Sequence, residues 1–317
     1  MTNEVMNKMV SVSRLTEFTS QVPIEPSVVE TDLHPAVRPG SIEMVALGSV
    51  SAEANVVDTR LNRSLSKGGA NDVLDEMWPR TGSILFKNFS MCYREGLPEV
   101  LKDISLTIPH GSRIGVVGRT GSGKSTLIMA LYRMGFVTAG SIFIDGVDIG
   151  RIPLVRLRSA LSIVPQEAQL FIGTVRTNLD PSGSHNEDEL MQALTRVQMA
   201  DAIAAMGGLD AAISENGSNM SAGQRQLFCV ARAILKRPKI LLIDEATASV
   251  DSATDEKLQI IIRREFADCT TLTIAHRLHT ISDSDKLVVL DAGNVSQFGT
   301  VEECSRGGIY RSLLKDA

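Results

Sequence analysis

A glycine-rich loop between a strand and a helix constrains the fold of this 317-residue chain more than any other feature. An apolar run at 114–117 predicts a strand before the loop, and the pattern at 127–134 predicts a helix after it. The loop has the spacing G-x-x-x-x-G-K-S and consists of Gly118, Arg119, Thr120, Gly121, Ser122, Gly123, Lys124, Ser125 and Thr126. Its glycines let backbone N–H groups close around phosphate oxygens, and the helix adds the positive end of its dipole. We therefore predict a triphosphate-binding loop, in which Lys124 lies between the β- and γ-phosphates and Ser125 ligates Mg²⁺.

The composition of the chain limits the partners and the compartment that we expect. A net charge of −5 at pH 7 gives no electrostatic reason to expect nucleic acid as a partner. The four cysteines stand far apart, which predicts reduced thiols rather than a metal site or a disulfide framework. No apolar segment approaches the length of a membrane span, so the chain is expected to be soluble by itself. This leaves open whether it belongs to a membrane assembly.

Three regions are expected along the chain. Residues 1–26 begin with apolar side chains at helical spacing, and two prolines then stop the pattern. Residues 27–77 contain no aromatic side chain and no sustained hydrophobic period, which predicts a disordered linker. Residues 78–317 carry clear strand and helix patterns and are expected to form the ordered domain.

Hydrophobic patterns in this ordered region alternate between strand and helix. Short apolar or alternating runs predict strands at 84–86, 89–93, 100–108, 114–117, 141–144, 161–164, 240–243 and 272–275, and a hairpin at 287–290 and 295–298. The pattern is helical from about 171 to 237, with a capping box at Ser184 and Glu187 and a helix at 222–237. These patterns predict an α/β fold with a P-loop NTPase core of mostly parallel sheet, an antiparallel β-subdomain and an inserted helical subdomain.

Two carboxylates follow the apolar strand at 240–243. In a parallel sheet the carboxyl ends of the strands are where ligands bind, so Asp244 fits the role of a Mg²⁺ ligand. Glu245, one position further, fits the role of a base that deprotonates the attacking water. Taken alone, an acidic pair at a strand end is more often a solvated turn. The phosphate loop favours the functional interpretation.

A second helix start with a polar cap lies at 219–224. Ser221 fits an ordinary helix N-cap. It also fits a site at which Ser221 and the Gly223 backbone meet a phosphate at the start of the helix. One domain cannot offer this helix start to its own phosphate loop if the helical subdomain is inserted on the far side, so the second interpretation requires another domain.

Together these motifs resemble the nucleotide-binding domain of an ATP-binding-cassette (ABC) transporter. The matching segments are GRTGSGKST, the glutamine loop VPQEAQLF, the signature NMSAGQRQ, the Walker B strand ILLIDEATASVD and the switch TIAHRLHTI. Their order and spacing fit from Ile84 to the C-terminus. The segments GTVRTNLDP and DKLVVLDAGNVSQFG are most similar to the second such domain of the multidrug-resistance-associated (C) subfamily. Residues 3–18 resemble the exit from that subfamily's last membrane helix.

The resemblance implies a role for each matching residue. Tyr93 would stack on adenine, Gln166 would contact Mg²⁺ and the attacking water, and His276 would contact the γ-phosphate. Without the resemblance, a strand tyrosine or a lone histidine is as well explained by packing. The implied catalytic residues are Glu245, His276, Gln166 and Lys124, and the implied Mg²⁺ ligands are Ser125, Gln166 and Asp244. The implied nucleotide contacts are Tyr93, residues 118–126, Gln166, Ser221, Gly223, Gln224 and Asp251, the last in a loop that crosses to a partner.

The signature departs from the family pattern, which begins Leu-Ser-Gly-Gly-Gln. Here the segment is Met220-Ser221-Ala222-Gly223-Gln224. In the C subfamily the two composite ATP sites are unequal. The resemblance implies that this signature completes the weaker site, on the other domain's phosphate loop. The chain's own Lys124, Asp244 and Glu245 would then form the hydrolytic site.

The implied function is an ATPase that uses ATP and Mg²⁺ to power export of organic anions, conjugates or drugs. Its partners would be a second nucleotide-binding domain and the transmembrane domains of the transporter, and it would lie on the cytosolic face of a membrane. One alternative is a soluble cassette ATPase that acts in translation or repair. Another is a regulatory domain that binds ATP with little hydrolysis. A single cassette and an acidic net charge argue against the first, and Glu245 and His276 argue against the second.

Overall fold

The structure is a computed structural model of the chain. It describes residues 75, 77–244, 251–274, 281 and 283–316. These residues belong to one compact unit, Asp72–Ala317. The expectations for residues 1–26 and 27–74 lie outside the described residues, and so do those for Glu245 and His276.

Three sheets organise the described residues. Their strands are β1 (Ile84–Cys92), β2 (Leu101–Ile108), β3 (Arg113–Gly118), β4 (Phe136–Ile144), β5 (Val147–Asp148), β6 (Leu161–Val164), β7 (Gly173–Thr174), β8 (Ala212–Ile213), β9 (Ile240–Asp244), β10 (Thr270–Ile274), β11 (Lys286–Asp291) and β12 (Asn294–Gly299). The largest sheet has the order β12-β11-β3-β10-β9-β6, in which β11, β3, β10, β9 and β6 are parallel and β12 is antiparallel. A second sheet, β2-β1-β4-β5, is antiparallel, and β7 pairs with β8.

Helices cover the sheets and form the inserted subdomain. They are α1 (Lys124–Leu131), α2 (Leu154–Ala160), α3 (Val175–Leu179), α4 (Glu187–Arg196), α5 (Ala200–Met206), α6 (Ala222–Lys236), α7 (Ser252–Glu265), α8 (Val301–Ser305) and α9 (Gly308–Asp316), with short 3₁₀ turns at Ile149–Arg151, Gly208–Asp210 and Glu215–Gly217. Among the described helices, none is both long enough and apolar enough to cross a membrane. The predicted α/β fold with an antiparallel β-subdomain and an inserted helical subdomain is confirmed.

Strand β9 shows why the central strands are continuously apolar. Ile240 and Leu242 belong to the core that the antiparallel sheet shares, whereas Leu241 and Ile243 face the core of the helical subdomain. All four side chains are at most 3% exposed. A parallel strand buried on both faces cannot alternate apolar with polar residues, so the apolar run fixes the place of β9 inside the sheet.

The antiparallel sheet differs from the prediction at its first strand. The sequence pattern predicted two strands, 84–86 and 89–93, but the structure has the single strand β1 with register shifts between Phe86 and Phe89. Asn88 adopts a left-handed conformation there, with φ 45°, and its side-chain amide donates to Asp103 Oδ1 at 2.9 Å. The irregularity interrupts the alternation without ending the strand, because β2 and β4 pair with β1 on both sides of it.

The helical subdomain corrects one predicted cap. The expected capping box at Ser184 and Glu187 is wrong, since Asn186 caps α4 and forms the reciprocal box with Glu189. The chain is turned before the helix by Asp180, whose carboxylate accepts from the His185 backbone N–H at 2.7 Å. Helix α4 therefore begins at Glu187, which lies in its first turn.

The strand predicted at 141–144 is the second half of β4 (Phe136–Ile144), and the helix predicted at 127–134 lies three residues earlier, at Lys124–Leu131; most of the other elements have smaller shifts of their ends. Helix α6 ends at Lys236, because the next residue, Arg237, takes a left-handed conformation with φ 46°. The final hairpin is present as β11 and β12. Strand β11 also pairs in parallel with β3, so the hairpin closes one side of the central sheet.

Candidate nucleotide-binding site

The strand order gathers the predicted site segments at one edge of the central sheet. Strands β3, β10, β9 and β6 are parallel neighbours, so the residues that follow them leave from the same edge. Ile274 pairs with both Val116 and Asp244, which sets Asp244 two residues below the level of Gly118. One strand separates β3 from β9, a lateral distance of about 10 Å at normal strand spacing. This edge is where a parallel sheet binds its ligands.

The phosphate loop passes too close to its neighbours to carry a side chain at Gly118. A Cβ at that position would collide with the Leu290 carbonyl oxygen and with Ser122 Oγ. The loop also rests on the turn of the β11–β12 hairpin, where Gly293 N donates to Ser122 O at 3.1 Å. Gly293 O in turn accepts from Lys102 N at 2.9 Å, so β2, the hairpin turn and the loop are joined. The predicted strand, loop and helix therefore form one rigid cradle.

Lys124 bends back over the loop that precedes it. Its side chain is buried, and Nζ donates to the carbonyl oxygens of Gly118 at 2.9 Å and Arg119 at 3.2 Å. These two contacts hold the Lys124 ammonium over the loop. The arrangement places that charge where the loop would surround a phosphate.

The start of α1 fits a triphosphate. Gly123 occupies the N-cap position with φ 103° and has no side chain, so among the described residues no N-cap side chain accepts from the first N–H groups of the helix. Ser122 Oγ is buried and has no hydrogen-bond partner among the described residues. Ser125, in the first turn, is exposed. Open N–H donors, a buried orphan hydroxyl and a lysine are the donor set that phosphate oxygens require.

Tyr93 lies beside the same loop, directly after β1. Its ring is 49% exposed, and its hydroxyl lies 2.9 Å from Thr126 Oγ1. Thr126 itself is buried. A half-exposed aromatic ring anchored to the end of the phosphate loop presents a face on which a flat base can stack.

Gln166 begins the segment that leaves β6, and its side chain is exposed. Its backbone is tied to α6, because Gln226 Nε2 donates to Gln166 O at 2.8 Å and to Pro165 O at 3.1 Å. The sequence analysis did not single out Gln226. Its position inside the segment NMSAGQRQ was the available signal, but its partners come from a distant part of the chain.

The signature segment confirms the N-cap interpretation of Ser221. Ser221 Oγ accepts from Gln224 N at 3.1 Å, and Gln224 Oε1 accepts from Ser221 N at 2.8 Å, which forms a reciprocal capping box. Ser221 remains exposed at the helix start. Met220, the first departure from the family pattern, is buried in the core of the helical subdomain, as an apolar residue at that position should be.

The signature packs closely on the helix that follows Asp251. A Cβ on Gly223 would lie 2.5 Å from Thr254 Cγ2, so only glycine permits this approach of α6 to α7. Asp251 caps α7 and accepts from Thr254 N at 3.0 Å. The backbone hydrogen bond from Thr254 lowers the pKa of the Asp251 carboxyl. Asp251 and the signature are therefore held against each other through Thr254.

Comparisons with known proteins agree with this geometry. Residues 101–248 match the family model described as "ABC transporter". The chain is 46% identical over 303 residues to bile pigment transporter 1 of Saccharomyces cerevisiae, covering 87% of this chain and 19% of that protein. It is 52% identical over 224 residues to ABC transporter C family member 5 of Arabidopsis thaliana, covering 70% of this chain and 15% of that protein. It is 46% identical over 244 residues to ATP-binding cassette sub-family C member 3 of Rattus norvegicus, covering 76% of this chain and 16% of that protein.

A solved structure shares the fold. It is described as "Structure of a bacterial Atm1-family ABC exporter with ATP bound", with a TM-score of 0.69, 36% sequence identity, and coverage of 74% of this chain and 42% of that chain. This chain spans less than a fifth of the length of the curated relatives named above. These matches together show that the chain carries the nucleotide-binding domain of the ABC transporter family, with relatives in the C subfamily.

Proposed function

We propose that this domain binds ATP with Mg²⁺ at residues 118–126 and hydrolyses it to power export by a longer ABC transporter. The observation that supports this most is the cradle itself. It combines an uncapped helix start, a buried orphan hydroxyl on Ser122 and a lysine folded over the loop, at the same sheet edge as Asp244. The helix start and the Ser122 hydroxyl offer hydrogen bonds to a triphosphate, and Lys124 brings a positive charge to the same loop.

Each residue of the cradle has a distinct proposed role. Lys124 binds the β- and γ-phosphate oxygens, and Tyr93 stacks on the adenine base. Ser125, Asp244 and Gln166 would hold Mg²⁺, which neutralises charge on the phosphates when it is bound. One carboxylate supplemented by hydroxyl, amide and phosphate oxygens is a donor set that suits this ion.

The hydrolytic step is assigned by the family pattern. In this assignment Glu245 orients and deprotonates the attacking water, and His276 contacts the γ-phosphate and holds the same water. Catalysis of this kind depends mainly on positioning and charge stabilisation.

A second nucleotide-binding domain would complete the site. The exposed Ser221 hydroxyl and the Gly223 backbone would meet a phosphate bound to the other domain, and Asp251 would reach across the same interface. In this arrangement the chain's own loop is hydrolytic, and its signature serves the weaker of two unequal sites. Transmembrane domains, a membrane location at the cytosolic face, and export of organic anions, conjugates or drugs complete the proposal. The relatives' names, which include a bile pigment transporter, support this cargo class.

Replacement of Glu245 tests the proposed function most directly. In the assembled transporter, Glu245→Gln should retain ATP binding and lower the turnover of ATP by roughly 10²–10⁴, the contribution of a general base. A phosphate-release assay measures the turnover, and Glu256→Gln, an exposed glutamate on α7, is the matched control. Unchanged turnover in Glu245→Gln would remove Glu245 from the mechanism. Full binding with negligible turnover in the unaltered transporter would instead favour an ATP-binding regulatory domain.

A further inference from the structure

Helix α6 holds strand β6 at both of its ends through side chains that donate to backbone carbonyls, of which Gln226 is buried and Lys236 is exposed. At the start of β6, Lys236 Nζ donates to Leu161 O at 2.7 Å. At the far end, Gln226 Nε2 donates to the carbonyl oxygens of Pro165 and Gln166, as described above. Both attachments join α6 to backbone carbonyl oxygens at an end of β6, but only the second touches a residue of the candidate site.

The side-chain NH₂ group of Gln226 makes both of its hydrogen bonds to the backbone at Pro165 and Gln166. The side chain is 4% exposed, and both of its N–H groups are used by the two carbonyl oxygens, which fixes the orientation of the amide. Its Oε1 is buried and has no hydrogen-bond partner among the described residues. Because the amide is buried, loss of the two bonds that it makes would leave two backbone carbonyl oxygens without these donors, so the contact holds the backbone at 165–166 against α6.

The same helix begins at the signature. Ser221 caps α6, and Gln226 lies in its second turn. Further along, Arg232 Nη1 donates to Gln169 O at 2.9 Å, so α6 holds both ends of the segment from Gln166 to Gln169. A helix moves as a rigid body over this length, so a displacement of its capped start reaches the Gln166 backbone directly through Gln226.

We propose that Gln226 is a positioning residue for Gln166: it couples the place of the signature helix to the place of the amide that meets Mg²⁺. The inference rests on the proposed role of Gln166 in metal binding. Gln226 does not touch nucleotide in this account. It determines whether the Gln166 side chain lies within reach of the metal when α6 is docked against β6.

The test is the gain in ATP affinity that Mg²⁺ provides. Binding of ATP to the 317-residue chain is measured by calorimetry with Mg²⁺ and again with a chelator present, and the ratio of the two affinities is the gain. Gln226→Met keeps the size of the side chain but removes its donors, so it should reduce the gain about fivefold to tenfold, the effect of about one hydrogen bond. Its affinity for metal-free ATP should stay within about twofold of the unaltered chain.

Lys236→Met provides the matched control. It removes the equivalent donor from the other end of the same helix and the same strand. We expect it to lower the melting temperature and to leave the Mg²⁺-dependent gain unchanged. A merely structural role for Gln226 predicts instead that the two variants behave alike.

A double-mutant cycle with Gln166→Ala completes the test. If Gln226 acts through Gln166, Gln166→Ala reduces the gain and Gln226→Met adds nothing further in that background. The inference would be overturned if the effects of the two substitutions on the Mg²⁺-dependent gain in ATP affinity were additive. It would also be overturned if either single substitution left this gain unchanged. If Gln226→Met fails to fold, Gln226→Asn keeps the amide and withdraws it by one methylene, and the same cycle applies. An unaltered chain that binds no ATP would overturn the proposed function itself, which separates the two failures.

Discussion

The phosphate loop and the signature each lie at the start of a helix, but the two helix starts differ in their N-capping. Helix α1 begins at Gly123 without any side-chain cap, whereas α6 begins at Ser221 with a complete capping box. At α1 the first N–H groups keep their hydrogen-bonding capacity for a ligand. At α6 the Gln224 N–H is already satisfied by Ser221 Oγ. The same local architecture therefore yields a ligand cradle in one place and a self-sufficient helix in the other.

This difference indicates how the two regions would divide the work. A site that binds phosphate without a second domain must leave backbone N–H donors unpaired, and these unpaired donors reduce the stability of the empty state. A surface that meets phosphate only when a second domain binds is more stable if its N–H groups are hydrogen-bonded within its own domain. It then keeps its conformation before the second domain binds. The exposed Ser221 hydroxyl still has a proton to donate while its oxygen accepts from Gln224.

The largest expected effect on ATP binding comes from removing the positive charge of Lys124. Lys124→Ala should weaken ATP binding by the isolated chain roughly 10–100-fold, the range of one hydrogen bond to a charged group. Calorimetry measures the affinity, and Lys102→Ala, an exposed lysine on β2, is the control. If Lys124→Ala bound ATP as tightly as the unaltered chain, the loop would not be the phosphate site. The proposed functional difference between the starts of α1 and α6 would then be wrong.

A second prediction concerns the acid sensitivity of the helical subdomain. Burial tends to raise the pKa of Asp180, but hydrogen bonds from Ser182 and His185 outweigh it and lower the pKa to about 2. Its contribution to stability is thus present above the unfolded pKa, near 3.9, and is lost as the pH falls toward 2. Asp180→Asn should cost roughly 1.5–3 kcal/mol at pH 7, with a flatter dependence of unfolding free energy on pH between 4 and 2.

Urea unfolding at a series of pH values measures this dependence. Asp188→Asn is a control in the same subdomain, since Asp188 is exposed in the first turn of α4. A pH dependence that Asp180→Asn leaves unchanged would assign the acid sensitivity to other carboxylates. The result would show how much Asp180 contributes to the loss of stability in acid.

The smallest expected effect comes from the closed helix start. Ser221→Ala should lower the unfolding free energy by about 1 kcal/mol, the usual loss for an N-cap, and should change the ATP affinity of the isolated chain less than twofold. Thermal melting and calorimetry measure the two quantities. Thr300→Ala, which removes the equivalent box at α8, should cost about the same. A large loss of ATP affinity in Ser221→Ala alone would mean that the signature serves its own loop.

The sequence predicted the phosphate loop and the central strands well, because both are specified locally. The loop needs glycines and a lysine at fixed spacing, and β9 needs an uninterrupted apolar run. The capping box of α4 was misplaced because a buried carboxylate, Asp180, turns the chain two residues later than the pattern suggested. The partners of Asp180 lie only two and five residues away, but the sequence pattern does not show that its carboxylate is buried.

The candidate site was predicted residue by residue, but its supports were not. Gln226 was missed since its acceptors, Pro165 and Gln166, stand about 60 positions away in sequence. The close approach of Gly223 to Thr254 was missed for the same reason. Motifs name the groups that meet a ligand, whereas the contacts that hold those groups in place are determined by tertiary packing.

The bond between Gly293 and Ser122 has a consequence for how the protein is made. The phosphate loop leaves the ribosome long before the hairpin turn on which it rests. During translation the glycine-rich segment thus lacks this contact until residue 293 has been made. We therefore expect a nascent domain to gain its affinity for nucleotide only after the β11–β12 hairpin has been made and the central sheet is complete.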